Sequence, residues 1–107
     1  MQMNEYQKAA ARTMNPALYC EQQAMHALHG MTGEVGEIHS LYQKAYQGHP
    51  FNHEHMKKEL GDLLWFIAEY CTAMNWTLDG EFEPGRASIE VENLYHAVQI
   101  ICPEEVE

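Results

Sequence analysis

Apolar positions recur along most of the chain at steps of three and four, the spacing of one helix face. Residues 4–14 read as a short alanine-rich helix that Asn4 can cap. Asn15-Pro16 interrupts it and offers a cap and a first residue for the next helix. That second helix is expected from Pro16 to about Gln47, with Met25, Leu28, Thr32, Val35, Ile38 and Tyr42 as its apolar stripe. Glycines between Gly30 and Gly36 predict a kink. Gly48-His49-Pro50 ends the segment, because glycine suits a helix C-terminus and proline cannot continue it.

A third helix is expected after the capping residue Asn52, reaching about Asn75. Its stripe is Leu60, Leu63, Leu64, Ile67, Cys71 and Met74, widened by Trp65, Phe66 and Tyr70. Residues 76–87, with Gly80, Pro84 and Gly85, read as a loop. Ser88 can cap a fourth helix to about Cys102, where Pro103 stops it. No segment reads as a strand. The predicted fold is all-α, an antiparallel bundle of about four helices. The apolar circumference of the third helix is broader than one short chain can cover, so completion by self-association, as a homodimer or homotetramer, is expected.

The 107 residues suit a single domain over 1–107. No apolar run approaches a membrane span, and no basic segment leads into an apolar one at the start, so cytoplasmic residence without membrane association is expected. Cys20, Cys71 and Cys102 are odd in number and far apart, which fits buried core thiols in a reducing compartment. A net charge of −10 argues against nucleic acid as a partner. From about residue 79 onward the chain holds eight acids against Arg86 alone, which reads as a solvated face and a frayed end.

Four other acids stand apart from that tail. Gly33-Glu34-Val35-Gly36-Glu37 opens a stretch that Glu59-Leu60-Gly61-Asp62 closes. In helices, each pair three residues apart projects from one face. Two such pairs brought together across antiparallel helices would repel unless a cation sat between them. An all-carboxylate set suits a hard divalent ion, Mg²⁺ or Mn²⁺ in its place. A di-iron bundle would call for Glu-x-x-His, which the chain lacks. Gly33, Gly36 and Gly61 each cost a helix about 1 kcal/mol relative to alanine. Close helix approach or room for a phosphate-bearing ligand would account for that cost. Lys44 lies two turns beyond Glu37 on the same face, and Glu69 two turns beyond Asp62.

Glu-x-x-Glu, a 21-residue spacer and Glu-x-x-Asp, set among Asn4-Glu5-Tyr6-Gln7, Gln47-Gly48-His49 and Leu63-Leu64-Trp65, resemble the MazG-like family of all-α nucleoside triphosphate pyrophosphohydrolases. The resemblance spans about residues 4–78 and is specific for reaction class, weak for substrate. It implies Mg²⁺-dependent hydrolysis of a nucleoside triphosphate to monophosphate and pyrophosphate, in nucleotide-pool cleaning or regulation. Glu34, Glu37, Glu59 and Asp62 would hold the metal. Glu37 would activate water, Lys44 would balance phosphate charge, and Lys57 and Lys58 would be further phosphate-binding cations. The acidic C-terminal part departs from the family, whose short members carry an Asn and basic residues there. A non-catalytic helical regulator that keeps the fold is the alternative.

The remaining chemistry-bearing residues have plainer readings. His49, His53 and His55 read as solvated loop and first-turn side chains, and His26, His29 and His39 as surface or partner-facing. Met25, Met31 and Met74 could line a base pocket, with core filling as the commoner role. Trp76 either stacks on a base or plugs the end of the bundle.

Overall fold

The computed structural model describes residues 1–80 and the backbone of 87 and 88. Three helices account for most of it: α1 (Met3–Ala11), α2 (Cys20–Tyr46) and α3 (His53–Ala73). The expected fourth helix, Cys102 and nearly all of the acidic tail lie outside the described residues.

Helix α1 starts at Met3, with Gln2 rather than Asn4 at its N-cap. Asn4 lies inside the first turn, and its side chain accepts a hydrogen bond from the Asp79 N–H at 3.4 Å. Helix α2 starts later than Pro16. Asn15 instead folds back on its own turn, its Oδ1 accepting from the Ala17 N–H at 3.0 Å. The helix begins after Tyr19, whose N–H donates to Gln22 Oε1 at 3.3 Å. From there α2 is unbroken through Gly30, Gly33 and Gly36 for 27 residues, about 40 Å.

The turn from α2 to α3 is tightly specified. Gly48 takes φ +99°. Its N–H bonds to the Ala45 carbonyl at 3.1 Å, and the His49 N–H to the Lys44 carbonyl at 3.0 Å. This pair of bonds is a Schellman motif, which needs a residue in left-handed conformation where Gly48 stands. Phe51 packs between Tyr42 and His53, with ring centroids 5.0 and 4.8 Å away. Asn52 then caps α3, its side chain accepting from the His55 N–H at 3.0 Å. Helix α3 ends at Met74, followed by Asn75 in left-handed conformation, φ 62°.

Helices α2 and α3 pack antiparallel as the main pair, and α1 lies against α3. Of the expected α2 stripe only Ile38 turns inward; the rest of the inward face lies one residue earlier in the chain. Met25, Leu28, Val35 and Tyr42 are 45–63% exposed, whereas Ala27 and Leu41 are buried and Met31, Glu34, Ile38 and Ala45 half-buried. On α3, Cys71 is buried and Leu63, Leu64 and Ile67 half-buried, while Leu60 and Met74 are exposed. Gly30 explains the register. A methyl group there would strike the ring of Phe66, so α2 meets α3 closely at Gly30. Gly33, Gly36 and Gly61 face open space instead, so packing between these helices does not require them.

Beyond α3, Trp76–Thr77 pairs in parallel with Ala87–Ser88, a two-residue ladder where the sequence reads as loop and no strand is expected, and Ser88, expected to cap a helix, is one of its residues. Gln7 of α1 clasps this segment. Its Nε2 donates to the Trp76 carbonyl at 2.8 Å and to Thr72 Oγ1 at 3.2 Å, and its Oε1 accepts from the Leu78 N–H at 2.9 Å. Trp76 stacks edge-on against Tyr70 at 5.9 Å, which fits the plug at the bundle end. Cys71 is buried, and burial pushes its thiol pKa up; Cys20 is exposed, contrary to the expectation of a core thiol. No described helix is long and apolar enough to cross a membrane.

Candidate metal centre

The antiparallel pairing runs the numbers of α2 and α3 against each other. His26 meets Glu69, Glu34 meets Glu59 and Asp62, and Glu37 meets His55 and Glu59. All four acids of the sequence pattern therefore come together in two overlapping groups that share Glu59.

In the first group, carboxylate oxygens of Glu34, Glu59 and Asp62 all lie within 4.8 Å of one another. Glu59 is buried, Glu34 half-buried, and Oε2 of Glu34 is shielded from solvent without a hydrogen-bond partner. A hydrogen bond that protonated Glu34 gives Glu59, together with burial, pushes the Glu34 carboxyl up to about 7; the charges of Glu59 and Asp62 add to the rise. Glu59 moves the other way, held below the usual range first by its contact with Glu34 and then by Lys58 and His55. The pair favours one proton between them, the behaviour of carboxylates that share a site.

Lys58 supplies the local counter-charge. Its Nζ donates to Asp62 Oδ2 at 2.8 Å and lies 3.4 Å from Glu59 Oε1. The Asp62 contact raises the lysine pKa. Tyr6 of α1 also borders the site: burial and the Asp62 charge both raise its phenol pKa.

The second group adds a residue that reads from sequence as a solvated first-turn side chain. His55 is half-buried, and its Nε2 lies 3.0 Å from Glu59 Oε1, with Glu37 completing the group from the exposed side of α2. The usable signal was the i, i+4 spacing to Glu59 rather than the i, i+2 spacing to His53.

No protein-family model, curated protein or solved structure matches this chain. The site's chemistry is therefore read from its own residues. Three clustered carboxylates, two of them favouring a shared proton in the metal-free chain, could hold a metal ion.

The other expected site residues fall elsewhere. Lys57 pairs with Glu54 at 3.4 Å on an exposed part of α3 and makes no described contact with the cluster. Lys44 lines a cavity of about 450 Å³ at the α2–α3 turn, which His55 also lines. Glu69 shares no group with the other acids. It is 1% exposed, and both its oxygens lie 2.8–2.9 Å from Nδ1 of His26. His26 is thus an internal partner rather than a free surface histidine, and its ring also packs on Trp65 and Phe66.

Proposed function

We propose that this chain is a divalent-metal-dependent nucleoside triphosphate pyrophosphohydrolase of the MazG-like kind. The convergence of Glu34, Glu59 and Asp62 around the unpartnered Oε2 of Glu34 carries the reading. Glu34, Glu59 and Asp62 would hold the ion, with Glu37 at the rim beside Glu59. When bound, Mg²⁺ or Mn²⁺ neutralises phosphate charge and makes a coordinated water more acidic. His55 steadies Glu59 through its 3.0 Å contact. Lys58 stands as counter-ion to Asp62 and is a further cation within reach of substrate phosphate. Lys44 balances charge further along the phosphate chain.

In the proposed reaction, Glu37 orients the attacking water and accepts its proton. The water oxygen bonds to the α-phosphorus. The bond from that phosphorus to the α–β bridging oxygen breaks, and its electron pair leaves with pyrophosphate. Nucleoside monophosphate and pyrophosphate are the products.

Self-association belongs to the same reading. Met25, Leu28, Thr32 and Val35 follow one another by threes and fours on an exposed face of α2, with Tyr42 two turns further on, the spacing of a helix–helix seam. A homodimer or homotetramer would cover it.

The test is pyrophosphate release from a panel of canonical and damaged nucleoside triphosphates, with Mg²⁺ or with chelator, by phosphate detection after added pyrophosphatase. Turnover should require the metal and fall steeply in Glu37→Gln and Asp62→Asn. Turnover in chelator, or full activity in both variants, overturns the proposal.

A further inference from the structure

The cavity at the α2–α3 turn has a lining unlike the rest of this acidic chain. Its polar residues are Lys44, Gln47, His49, Asn52 and His55, with Leu41 and Pro50 as the apolar remainder. No carboxylate and no Phe, Tyr or Trp lines it. Among the described residues, Lys57 and Lys58 are paired with acids, but no carboxylate pairs with Lys44. Lys44 brings a fixed positive charge, and the His49 imidazole and both side-chain amides can donate N–H bonds, while His55 gives its Nε2–H to Glu59. Such a lining recognises oxyanions, with the two imidazoles as its only ring side chains.

The turn geometry holds these groups in place. The Schellman bond from the His49 N–H to the Lys44 carbonyl folds the chain back so that His49 sits beside the turn that carries Lys44. Asn52 fixes the start of α3 by capping His55. His55 then joins the cavity to the acid cluster, since it lines the one and contacts Glu59 of the other. Moving away from the turn, one meets the cavity, then Glu37 and His55, then Glu34 and Asp62, and finally Tyr6 on α1.

We infer that the cavity is a subsite for the two terminal phosphates of a nucleoside triphosphate, an inference that rests on the hydrolytic reading above. The substrate lies along the helix pair with its phosphate chain toward the α2–α3 turn and its nucleoside toward α1. Pyrophosphate then departs into a site with Lys44 and His49 as its main contacts. At about 450 Å³ the cavity has room for two phosphate groups and accompanying water.

The experiment is calorimetric titration of the full chain with inorganic pyrophosphate in the presence of Mg²⁺, in wild type, Lys44→Met and His49→Ala. Both side chains are exposed, and melting of each variant with Mg²⁺ alone checks that fold and acid cluster are intact. Each variant should weaken pyrophosphate binding by about fivefold or more, as expected for losing one charge-assisted or strong hydrogen bond. A smaller loss in either variant, or no binding to wild type, overturns the subsite. The two readings separate cleanly. A chain that turns over nucleotides while both variants bind pyrophosphate normally defeats the subsite alone. One that turns over no nucleotide yet binds pyrophosphate in this variant-sensitive way defeats the hydrolytic reading and leaves a polyphosphate site.

Discussion

His55 Nε2 stands 3.0 Å from Glu59 Oε1, one helical turn away on α3. That contact supplies a partner to a carboxylate that is 4% exposed. Removing it in His55→Ala leaves Glu59 buried beside Glu34 with Lys58 alone to offset it, a cost of about 1–2 kcal/mol. The variant should melt several degrees lower without metal and regain part of the loss with Mg²⁺. His55→Gln, which can still donate to Glu59, should recover most of it. Equal melting of His55→Ala and wild type would falsify a bridging role for this histidine.

The acid cluster should give the metal-free chain an inverted pH response. The Glu34 carboxyl titrates near 7 in the fold, above its ordinary value of 4.5. Between these values the unfolded chain loses this proton while the folded chain retains it. The contribution of Glu34 is therefore complete below about 4.5 and is lost as pH rises toward 7. Glu59, whose pKa is lowered, loses its contribution only below the ordinary carboxylate range. Denaturant midpoints of wild type and Glu34→Gln should diverge in slope between these limits, the variant lacking the decline. Mg²⁺ must displace the same proton, so its apparent affinity should rise across the same window. A pH-independent affinity between 5 and 7 would speak against Glu34 as a ligand.

The His26–Glu69 pair should matter for stability and not for the metal. Glu69 is buried and receives His26 on both oxygens. His26→Ala strands that carboxylate, and a loss of about 2 kcal/mol is expected in urea unfolding, discounted for the half-exposed imidazole. Mg²⁺-induced stabilisation should be unchanged. A parallel loss of metal response would mean that the pair acts on the cluster through α2.

The glycines divide into two kinds that one mutation series can separate. Gly30→Ala drives a methyl group into Phe66 and should destabilise by about 1–3 kcal/mol. Gly33→Ala, Gly36→Ala and Gly61→Ala meet open space and should each stabilise the isolated chain by up to about 1 kcal/mol. If that space serves the substrate, the same three substitutions should raise the KM for nucleotide while melting temperature climbs. Gains in stability with unchanged kinetics would assign the glycines no part in binding.

Much of this arrangement is legible in the amino-acid sequence. The long helices α2 and α3, the glycine–proline turn, the Asn52 cap and the four acids all follow from local spacing and turn chemistry. What local spacing could not decide was which face of α2 turns inward. Met25-Leu28-Thr32-Val35 and Ala27-Met31-Glu34-Ile38 are both spaced by threes and fours, and each holds three apolar residues and one polar one. The contact of Gly30 with Phe66 selects the second, and that contact joins residues far apart in the chain. His26 with Glu69 escaped for the same reason, being 43 residues apart. The fourth helix remains a matter of sequence, since it falls outside the described residues.

The clasp made by Gln7 bears on the order in which the molecule assembles. The α2–α3 hairpin joins neighbours in sequence through a turn with its own hydrogen bonds, so its chain-closure cost is small. Gln7 reaches the Trp76 carbonyl across 69 residues and borrows the bonding pattern of a strand to do so. It can close only after α3 has ended and turned. The amino terminus thus latches the far end of the hairpin, and the residue beside the latch is the Tyr6 that borders the acid cluster.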